Sequence, residues 1–350
     1  MQSNTTTQSN TTRSDGSVRE DVDKRNEVVG SAVARKPGLH VVCTLAEGSY
    51  FNGLAALANS LVRAGFKGSV VVGYRGRKPL WVESLKIKNE ALQIYEITAV
   101  VDLHFVEITG TWHLNNLKAH LINQIFERYI DAELVFYFDT DIVIKHAWST
   151  LVGWASNGVV LILDVADTYM SPHHVYRHAW RNLSARKSLK SREFSGYVNG
   201  GCVGINRTFA EFPRMWSALM EELEREGADM QKMKDLAGPL EFSRMDQDVL
   251  NATIMATDTP IALLGCEAMG MFPWAGEVLL HAMLPQKPWM RNYIFDAMRG
   301  FPPDHIHLAY WKFVDGPIRP FSGSELKRRK AAVAMARLIG LFHSRSYRDL

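Results

Sequence analysis

Short apolar runs alternate with stretches of helical periodicity from Leu39 onward. Residues 40–44, 69–73 and 101–106 are short, mainly apolar runs, which is typical of strands. After the first run, apolar residues recur every three or four positions, as on one face of a helix; they are Leu54, Leu57, Ala58, Leu61 and Val62. Gly65 follows at a position typical of a helix C-cap. This order of strands and helices predicts an α/β fold with a largely parallel sheet.

A second helix face and two further strands follow in the middle of the chain. The helix face consists of Leu114, Leu117, Leu121, Ile125 and Phe126. Residues 134–138 form a continuous apolar run that ends abruptly in an Asp-Thr-Asp triplet at 139–141. A buried central strand has this appearance when it delivers polar groups to a sheet edge. Residues 159–163 repeat the arrangement and end in Asp164.

The two ends of the chain differ from this pattern. Residues 1–36 are rich in Ser, Thr, Asn and charge and have no apolar core of a signal peptide, so we expect a disordered polar tail. Residues 37–322 are expected to form one α/β domain. Residues 323–350 are expected to form a basic, amphipathic C-terminal helix, because a Lys-Arg-Arg-Lys run precedes an apolar stripe; the stripe is Ala331, Ala334, Met335, Leu338, Leu341 and Phe342.

Composition excludes several classes of protein. The chain is 47% hydrophobic, as expected of a globular core, and its forty Lys and Arg nearly balance thirty-seven Asp and Glu. That balance argues against nucleic acid as a partner. Cys43, Cys202 and Cys266 lack a Cys-x-x-Cys spacing, which predicts reduced, buried thiols in a cytoplasmic protein. No apolar run approaches the roughly 18 residues of a spanning helix.

The Asp-Thr-Asp triplet is the most informative chemical feature. Side chains two apart on an extended backbone point the same way, so Asp139 and Asp141 can converge on one Mg²⁺ or Mn²⁺, which would neutralise a diphosphate. Aspartate pairs are also common in ordinary turns. His281 is a candidate third ligand that would suit Mn²⁺, with Lys287 nearby as a partner for phosphate. The alternative for His281 is a core histidine with no ligand.

The segment around His281 carries a resemblance to a known family. His281, Leu284 and the Lys-Pro-Trp sequence at 287–289 resemble the H-x-x-G-x-x-K-P-W motif of glycosyltransferase family 8, the glycogenin-like group of retaining enzymes with the GT-A fold. Leu284 replaces a glycine that lets the backbone approach the diphosphate closely. His307, also followed by a lysine, is the alternative third metal ligand; His281 is preferred because it fits the motif.

Three other segments, at 46–50, 197–206 and 245–251, resemble the same family in the same chain order. They are similar to its A-x-D-x-x-Y loop, its Y-F-N-A/G-G segment and its D-Q-D-x-L-N helix start. The resemblance implies that Tyr50 stacks on uracil and that Glu47 accepts from the base N–H. The nucleotide-contacting residues that it implies are Ala46, Glu47, Tyr50, Lys118, Thr140, Gly200 and Lys287. Lys118 stands where the family usually has an arginine, and Asn116 and His120 are the alternatives.

For the sugar, the resemblance implies catalytic roles for Asn199, Asp246 and Gln247. Asn199 would bind the donor sugar, Asp246 would grip its hydroxyls and Gln247 would face the anomeric carbon. The interpretation without chemistry is that Asp246 and Asp248 stabilise a helix N-terminus.

The implied protein has a single Rossmann-like GT-A domain, with a nucleotide-binding half at 37–145 and an acceptor and donor-sugar half at 146–322. It would use Mn²⁺ or Mg²⁺ to move a hexose from a UDP-sugar to a saccharide or lipid-linked acceptor with retention, as in cell-envelope saccharide synthesis. One alternative is a non-catalytic sugar-nucleotide or carbohydrate-binding module, which Leu284 favours. The other is a nucleotidyltransferase, although residues 45–53 are not the glycine-rich phosphate loop that it would need.

Two basic segments bear on the acceptor and on localisation. The polar stretch at 170–193 is expected to be a long loop or lid, which either meets an anionic acceptor or is simply solvated; its basic residues are Arg177, Arg181, Arg186, Lys187, Lys190 and Arg192. The C-terminal helix either lies on the anionic inner face of a membrane or packs its apolar stripe on the domain. A cytoplasmic location, with or without peripheral membrane contact, follows.

Overall fold

The computed structural model describes residues 28–29, 38–165, 168–188, 190–234, 238–270 and 276–343. Its strands are β1 (Val28–Val29), β2 (Leu39–Glu47), β3 (Gly68–Arg75), β4 (Lys86–Asn89), β5 (Ile94–Thr98), β6 (Val101–Ile108), β7 (Ala132–Phe138), β8 (Ile142–Ile144), β9 (Val159–Leu163), β10 (Val198–Asn206), β11 (Ile261–Leu264), β12 (Met269–Gly270) and β13 (Leu279–His281). Its α-helices are α1 (Phe51–Arg63), α2 (Lys118–Arg128), α3 (Trp148–Ala155), α4 (Val175–Ala185), α5 (Glu211–Arg225), α6 (Met245–Ala256), α7 (Tyr293–Met298), α8 (His305–Phe313) and α9 (Gly323–Phe342).

A large mixed sheet forms the centre of the molecule, in the order β11-β9-β10-β7-β2-β3-β6-β5-β4, with β1 also pairing with β6. The four strands β7, β2, β3 and β6 are parallel neighbours, and β9 and β11 run in the same direction. β10 is inserted antiparallel between β7 and β9. A second, small sheet has the order β12-β13-β8. The predicted α/β class, with a mostly parallel central sheet and C-terminal helices, is confirmed.

Alternation along the central strands explains why helices cover both faces of the sheet. In β7, Val135 and Tyr137 belong to one buried cluster, which also contains the apolar faces of α2, α4, α5 and α6. Leu134, Phe136 and Phe138 belong to a second cluster, shared with α1 and α3. Consecutive strand residues point to opposite faces, so a strand that is apolar at every position must be buried on both sides. A third cluster joins α7, α8 and α9 around Trp289 and Trp311.

The prediction of a long loop at 170–193 is wrong over much of this range, because α4 occupies Val175–Ala185. His174 caps this helix by accepting from the Tyr176 backbone N–H, and Trp180 and Leu183 pack into the core. Arg177 is fully buried and donates to the carbonyls of Met170 (3.2 Å) and Gly196 (2.5 Å). All six basic residues have partners inside the protein, and Arg186, Lys187 and Lys190 pair with carboxylates. The segment is therefore not one long solvated loop, and the contact with an anionic acceptor stays a prediction.

The two chain ends are described only in part. Of the polar tail predicted at 1–36, Val28 and Val29 pair with β6 and the rest lies outside the described residues. The predicted C-terminal helix is present as α9. It packs on the domain through Leu326, Val333 and Ala336, while the predicted apolar stripe faces outward. Residues 344–350 lie outside the described residues.

Two smaller expectations have simple outcomes. None of the helices in the described part of the chain has the length and apolar character needed to traverse a bilayer. All three cysteines are free thiols, but only Cys43 and Cys202 are buried, whereas Cys266 is partly exposed. Burial raises the pKa of both buried thiols.

Candidate functional site

Three potential metal ligands meet where β7, β8 and β13 come together. Asp139 follows β7 directly, Asp141 precedes β8, and His281 ends β13, which pairs with β8 so that His281 lies opposite Ile142. His281 Nε2 is 3.1 Å from an Asp141 carboxylate oxygen and 3.7 Å from an Asp139 oxygen. One ligand atom from each residue lies within 4.8 Å of the others. The pairing of two short strands therefore brings the imidazole to the two carboxylates.

The surroundings of these ligands fit a divalent ion. Two carboxylate oxygens and one imidazole nitrogen form a donor set that suits Mn²⁺ and leaves positions for oxygens of a ligand. The backbone of Gly201 closes one side of the cluster. A Cβ on Gly201 would lie 2.7 Å from His281 Cε1, 2.9 Å from Asn199 Oδ1 and 3.0 Å from an Asp139 oxygen. Glycine is required here by the metal ligands themselves, since any side chain would displace one of them.

Gly201→Ala is expected to weaken Mn²⁺ binding about ten- to hundredfold, the size of effect seen when groups that orient metal ligands are disturbed. The methyl group would have to move His281 or Asp139. Calorimetric titration with Mn²⁺ measures the change. Gly153→Ala is the matched control, because nothing lies within 4 Å of its added Cβ on α3. It should leave Mn²⁺ affinity unchanged and increase stability by roughly 0.5–1 kcal/mol. Equal Mn²⁺ affinity of the two variants would contradict the assignment.

Lys118 links the potential metal ligands to the neighbouring helix α6. Its ammonium group, at the start of α2, is buried 3.2 Å from Asp139 and 2.7 Å from Asp246, and it donates to the Gly200 carbonyl at 3.0 Å. Burial lowers the pKa of Lys118, but the charges of Asp139 and Asp246 outweigh burial and the pKa is raised. For Asp246 burial dominates, and its pKa is raised although Lys118 opposes the shift.

The alternatives to Lys118 point away from this site. Asn116 donates to the carbonyls of Met230 (2.9 Å) and Lys232 (3.0 Å). His120 lies 3.4 Å from Glu221 on α5. Of the three polar residues at the start of this helix, only Lys118 contacts the cluster, which resolves the helix register that the sequence left open.

Asp141 is held by two cationic partners. Lys287 Nζ lies 2.6 Å from Asp141 and also donates to the Ala282 carbonyl at 2.8 Å. Burial of Asp141 opposes its ionisation, but His281 and Lys287 together outweigh burial and hold its pKa below the usual value. The carboxylate is therefore ionised at neutral pH and available to a cation.

Asn199 and Gln247 both donate to the carboxylate of Asp164. The sequence pattern placed Asp164 at the end of a strand but did not link it to the site. Asp164, directly after β9, accepts from Asn199 Nδ2 at 2.8 Å and from Gln247 Nε2 at 3.1 Å. Gln247 Oε1 accepts from the Gly200 backbone N–H at 3.0 Å. Two side-chain amides are thus fixed beside the metal ligands. The position of Asp164 at the end of an apolar strand was the available signal.

Other polar residues of the same two segments are structural. Asp248 accepts from the Tyr197 hydroxyl (2.7 Å) and the Arg244 backbone N–H (2.8 Å), and burial raises its pKa to about 7. Asn251 bonds both the N–H and the carbonyl of Val198. The first two residues of the Asp-Gln-Asp sequence therefore face the site, while Asp248 and Asn251 fasten α6 to β10.

The segment after β2 borders the site. Tyr50 is 38% exposed, with its ring 5.8 Å from that of Trp289 in an edge-to-face arrangement. Gly48 has a φ of +55°, which favours glycine at this turn. Glu47 is partly exposed at the end of β2. Burial lowers the pKa of His113, and the charges of Glu47 and Asp246 oppose the shift, so His113 lies near both groups. No sequence pattern marked His113.

Two other sequence candidates, Ala46 and Thr140, are buried. The alternative ligand His307 lines the same cavity as His281 but is not part of the group formed by Asp139, Asp141 and His281. It bonds Asp304 at 2.5 Å and Arg291 at 2.8 Å and helps to cap α8. Leu284, which stands in place of the family glycine, has an ordinary negative φ and an exposed side chain. The local backbone therefore does not need glycine at this position.

A cavity of about 620 Å³ opens beside His281. Its apolar lining includes Met283, Leu284 and residues 301–303. Arg299 and Gln286 contribute polar groups. Since His281 lines it, the cavity adjoins the candidate metal ligands.

Comparisons with known proteins concern the fold. No family model and no curated protein matches the chain. Among solved structures it is similar to the bifunctional glycosyltransferase WbbM in its apo form (14% identity, TM-score 0.47, 87% of this chain and 54% of WbbM). It is also similar to the galactosyltransferase LgtC, solved with donor and acceptor sugar analogues (14% identity, TM-score 0.44, 84% of this chain and 95% of LgtC). A third similar structure is the glycosyltransferase GlyE of Streptococcus pneumoniae TIGR4 (13% identity, TM-score 0.47, 84% of this chain and 64% of GlyE). The chain spans about half the length of WbbM and just under two thirds of GlyE. At this level, the similarity assigns no substrate.

Proposed function

We propose that this chain is a metal-dependent glycosyltransferase of the GT-A type that transfers a hexose from a UDP-sugar to a saccharide or lipid-linked acceptor. The observation that carries the proposal is the meeting of Asp139, Asp141 and His281 at the ends of strands, flanked by two buried lysines. This is an electrostatic arrangement for a diphosphate. A divalent ion bound there would act as a Lewis acid that neutralises charge on the departing phosphate.

The protein's own residues prepare the site for that charge. Lys287 and Lys118 are already desolvated and fixed by carboxylates and backbone carbonyls, so they need no reorganisation when a phosphate arrives. Lys287 adds positive charge next to the Asp141 ligand. Lys118 carries positive charge between the metal ligands and Asp246. Preorganised charge of this kind favours the state in which negative charge develops on the leaving group.

The donor sugar is assigned to the groups around Asp164. Asn199 and Gln247 share this carboxylate as a hydrogen-bond acceptor, which fixes the orientation of both amides. Asp246, which is paired with Lys118 beside Gly200, is the carboxylate proposed to bind sugar hydroxyls. The nucleotide base is assigned to Tyr50, with Glu47 as acceptor for a base N–H.

Retention of anomeric configuration is part of the proposal. Gln247 is a neutral amide and a poor nucleophile, so we favour attack by the acceptor on the face that the phosphate leaves, with that phosphate taking the acceptor proton. The cavity beside His281 is the space assigned to the acceptor, because it adjoins the metal ligands and is lined by both apolar and polar groups. NMR of the anomeric proton of the first product tests this assignment, and an inverted product would exclude retention.

The central test is a calorimetric titration of UDP with and without Mn²⁺. We expect affinity to require the metal, and Tyr50→Ala to weaken metal-supported UDP binding about ten- to hundredfold, since stacking of a base on an aromatic ring contributes roughly 1–3 kcal/mol. Phe342→Ala is the matched control, because it removes an exposed ring at the far end of α9. UDP affinity that is independent of Mn²⁺ would overturn the proposal.

A non-catalytic binding module would share this nucleotide affinity. Release of UDP from a panel of UDP-hexoses distinguishes the two functions, because a binding module retains or releases the intact donor. Saccharide and lipid-linked acceptors added separately should increase release if the acceptor class is correct. No increase with any acceptor, together with intact UDP-sugar binding, would favour the binding module.

A further inference from the structure

The C-terminal part of the chain leaves large apolar side chains on its surface. In the segment around α7, Met290, Ile294, Phe295, Met298 and Phe301 are each at least 38% exposed. α7 packs against α9, and Gly340 on α9 approaches Pro302 so closely that an added Cβ would lie 2.5 Å from its ring. The exposed residues of the two elements therefore belong to one region of the surface.

The outward face of α9 extends this region. Met335, Leu338, Leu341 and Phe342 are exposed, the last two by 77% and 87%. The same helix already has a packing face on the domain, through Leu326, Val333 and Ala336. The apolar stripe is therefore not what holds the helix in place. We call the exposed residues of the α7 segment and of this stripe the C-terminal apolar surface. Nine of the twenty-one large apolar side chains exposed in the described residues belong to it.

Positive charge is concentrated in the same part of the chain. Residues 286–343 contain ten Lys and Arg against four Asp and Glu, whereas the whole chain has forty against thirty-seven. The four acidic residues are all paired within the segment, as Asp296–Arg291, Asp304–His307, Asp315–Lys330 and Glu325–Arg329. Lys327, Arg328 and Arg337 are exposed on α9 and make no ion pair with any described residue. Unpaired basic groups therefore border the apolar surface.

We propose that the C-terminal apolar surface docks on the anionic face of a lipid bilayer, with α9 lying in the plane of the interface. An exposed apolar face beside basic residues is what such helices use, since apolar side chains enter the acyl boundary while Lys and Arg meet anionic headgroups. A second copy of the chain fits this surface less well. A two-fold contact would bring the unpaired basic groups of both copies into one interface, where the acidic residues of this segment already have partners.

Docking has a consequence for the acceptor, which rests on the proposed function. Phe301 belongs to the C-terminal apolar surface and also lines the cavity assigned to the acceptor, together with Arg299 and Pro302. A docked molecule would therefore hold the cavity close to the lipid headgroups. An acceptor attached to a lipid would reach it without leaving the bilayer.

Co-sedimentation of the full chain with vesicles, without nucleotide or metal, tests the docking. We expect binding to phosphatidylcholine vesicles containing one-quarter phosphatidylglycerol to be at least tenfold stronger than to phosphatidylcholine alone. Leu338→Gln with Leu341→Gln should reduce it at least tenfold. Lys327→Gln with Arg328→Gln should reduce binding to anionic vesicles by about tenfold or more, as expected for two basic groups near such a surface. Leu80→Gln with Ile87→Gln is the matched control, because it removes two exposed apolar residues that lie outside the C-terminal apolar surface.

Three outcomes would overturn the docking proposal: no vesicle binding, an equal loss in the control pair, or a dimer in analytical ultracentrifugation that Leu338→Gln with Leu341→Gln separates. The last outcome would assign the surface to a second copy. Vesicle binding needs neither UDP nor Mn²⁺. If UDP does not bind in the nucleotide titration, the proposed function is excluded but the vesicle-binding result is unaffected. If the vesicles do not bind, the docking proposal is excluded but the nucleotide titration is unaffected.

Discussion

Asp141→Ala is expected to abolish Mn²⁺-dependent UDP binding and to reduce transferase activity at least about a thousandfold. The carboxylate lies within hydrogen-bonding distance of both His281 and Lys287, so its removal takes away a metal ligand and leaves a buried ammonium next to the diphosphate site with one partner fewer. Stabilisation of developing charge by a metal contributes several kcal/mol, and each 1.4 kcal/mol is a factor of ten in rate. Calorimetry and UDP release measure the two effects.

A second variant separates charge from shape. Asp141→Asn keeps the size of the side chain and one acceptor oxygen but removes the negative charge, and we expect it to bind Mn²⁺ almost as poorly as Asp141→Ala. Asp102→Asn is the matched control, since Asp102 is also paired with a lysine, Lys88 at 2.7 Å, but lies on β6 away from the site. Activity of Asp141→Ala within tenfold of the unaltered chain would be incompatible with the proposed metal site.

Lys118→Met is expected to lower the free energy of unfolding by about 3–5 kcal/mol, because it leaves two buried carboxylates without their shared cation. Asp139 and Asp246 both lie within 3.2 Å of the ammonium, and the Gly200 carbonyl also loses its donor. Urea denaturation measures the effect. The loss of unfolding free energy caused by Lys118→Met should be smaller at pH 5 than at pH 8, because the unpaired carboxylates of the variant can take up protons more readily as the pH falls.

Two comparisons complete this test. Lys86→Met removes an exposed lysine paired with Glu96, and its effect should stay within about 0.5 kcal/mol. Adding Asp246→Asn to Lys118→Met removes one of the two unpaired charges and should recover part of the stability but none of the activity. A deficit below about 1 kcal/mol, or no recovery in the double variant, would show that Lys118 does not balance these carboxylates.

Much of the parallel half of the fold could be predicted from local pattern. β7 and β9 are continuous apolar runs that end in aspartate, and burial on both sheet faces requires such a sequence. The helical spacing from Leu54 to Val62 identified α1, and Gly65, with a φ of +81°, ends it as expected. Asp139 and Asp141 lie at the end of β7 and were identifiable as candidate ligands for the same reason.

The rest depends on contacts between distant segments. β13 has three residues and is a strand only through its pairing with β8 and β12, so no periodicity marks it. The two arginines of α4, Arg177 and Arg181, donate to backbone carbonyls whose positions the sequence does not reveal. The contact of Lys118 with Asp246 joins residues 128 positions apart. From the sequence alone, only the resemblance to a known family could suggest that these distant residues are partners.

The antiparallel course of β10 has a consequence for changing donor preference. Because β10 lies between β7 and β9, its first residues stand between Asp139 on one side and Asp164 on the other. Neighbouring strands are about 4.8 Å apart, so the ends of β7 and β9, which carry Asp139 and Asp164, are about 10 Å apart, and backbone pairing sets this spacing. Loop grafting cannot alter that spacing. Evolution or engineering toward a different sugar must therefore proceed by exchanging individual side chains within a rigid frame.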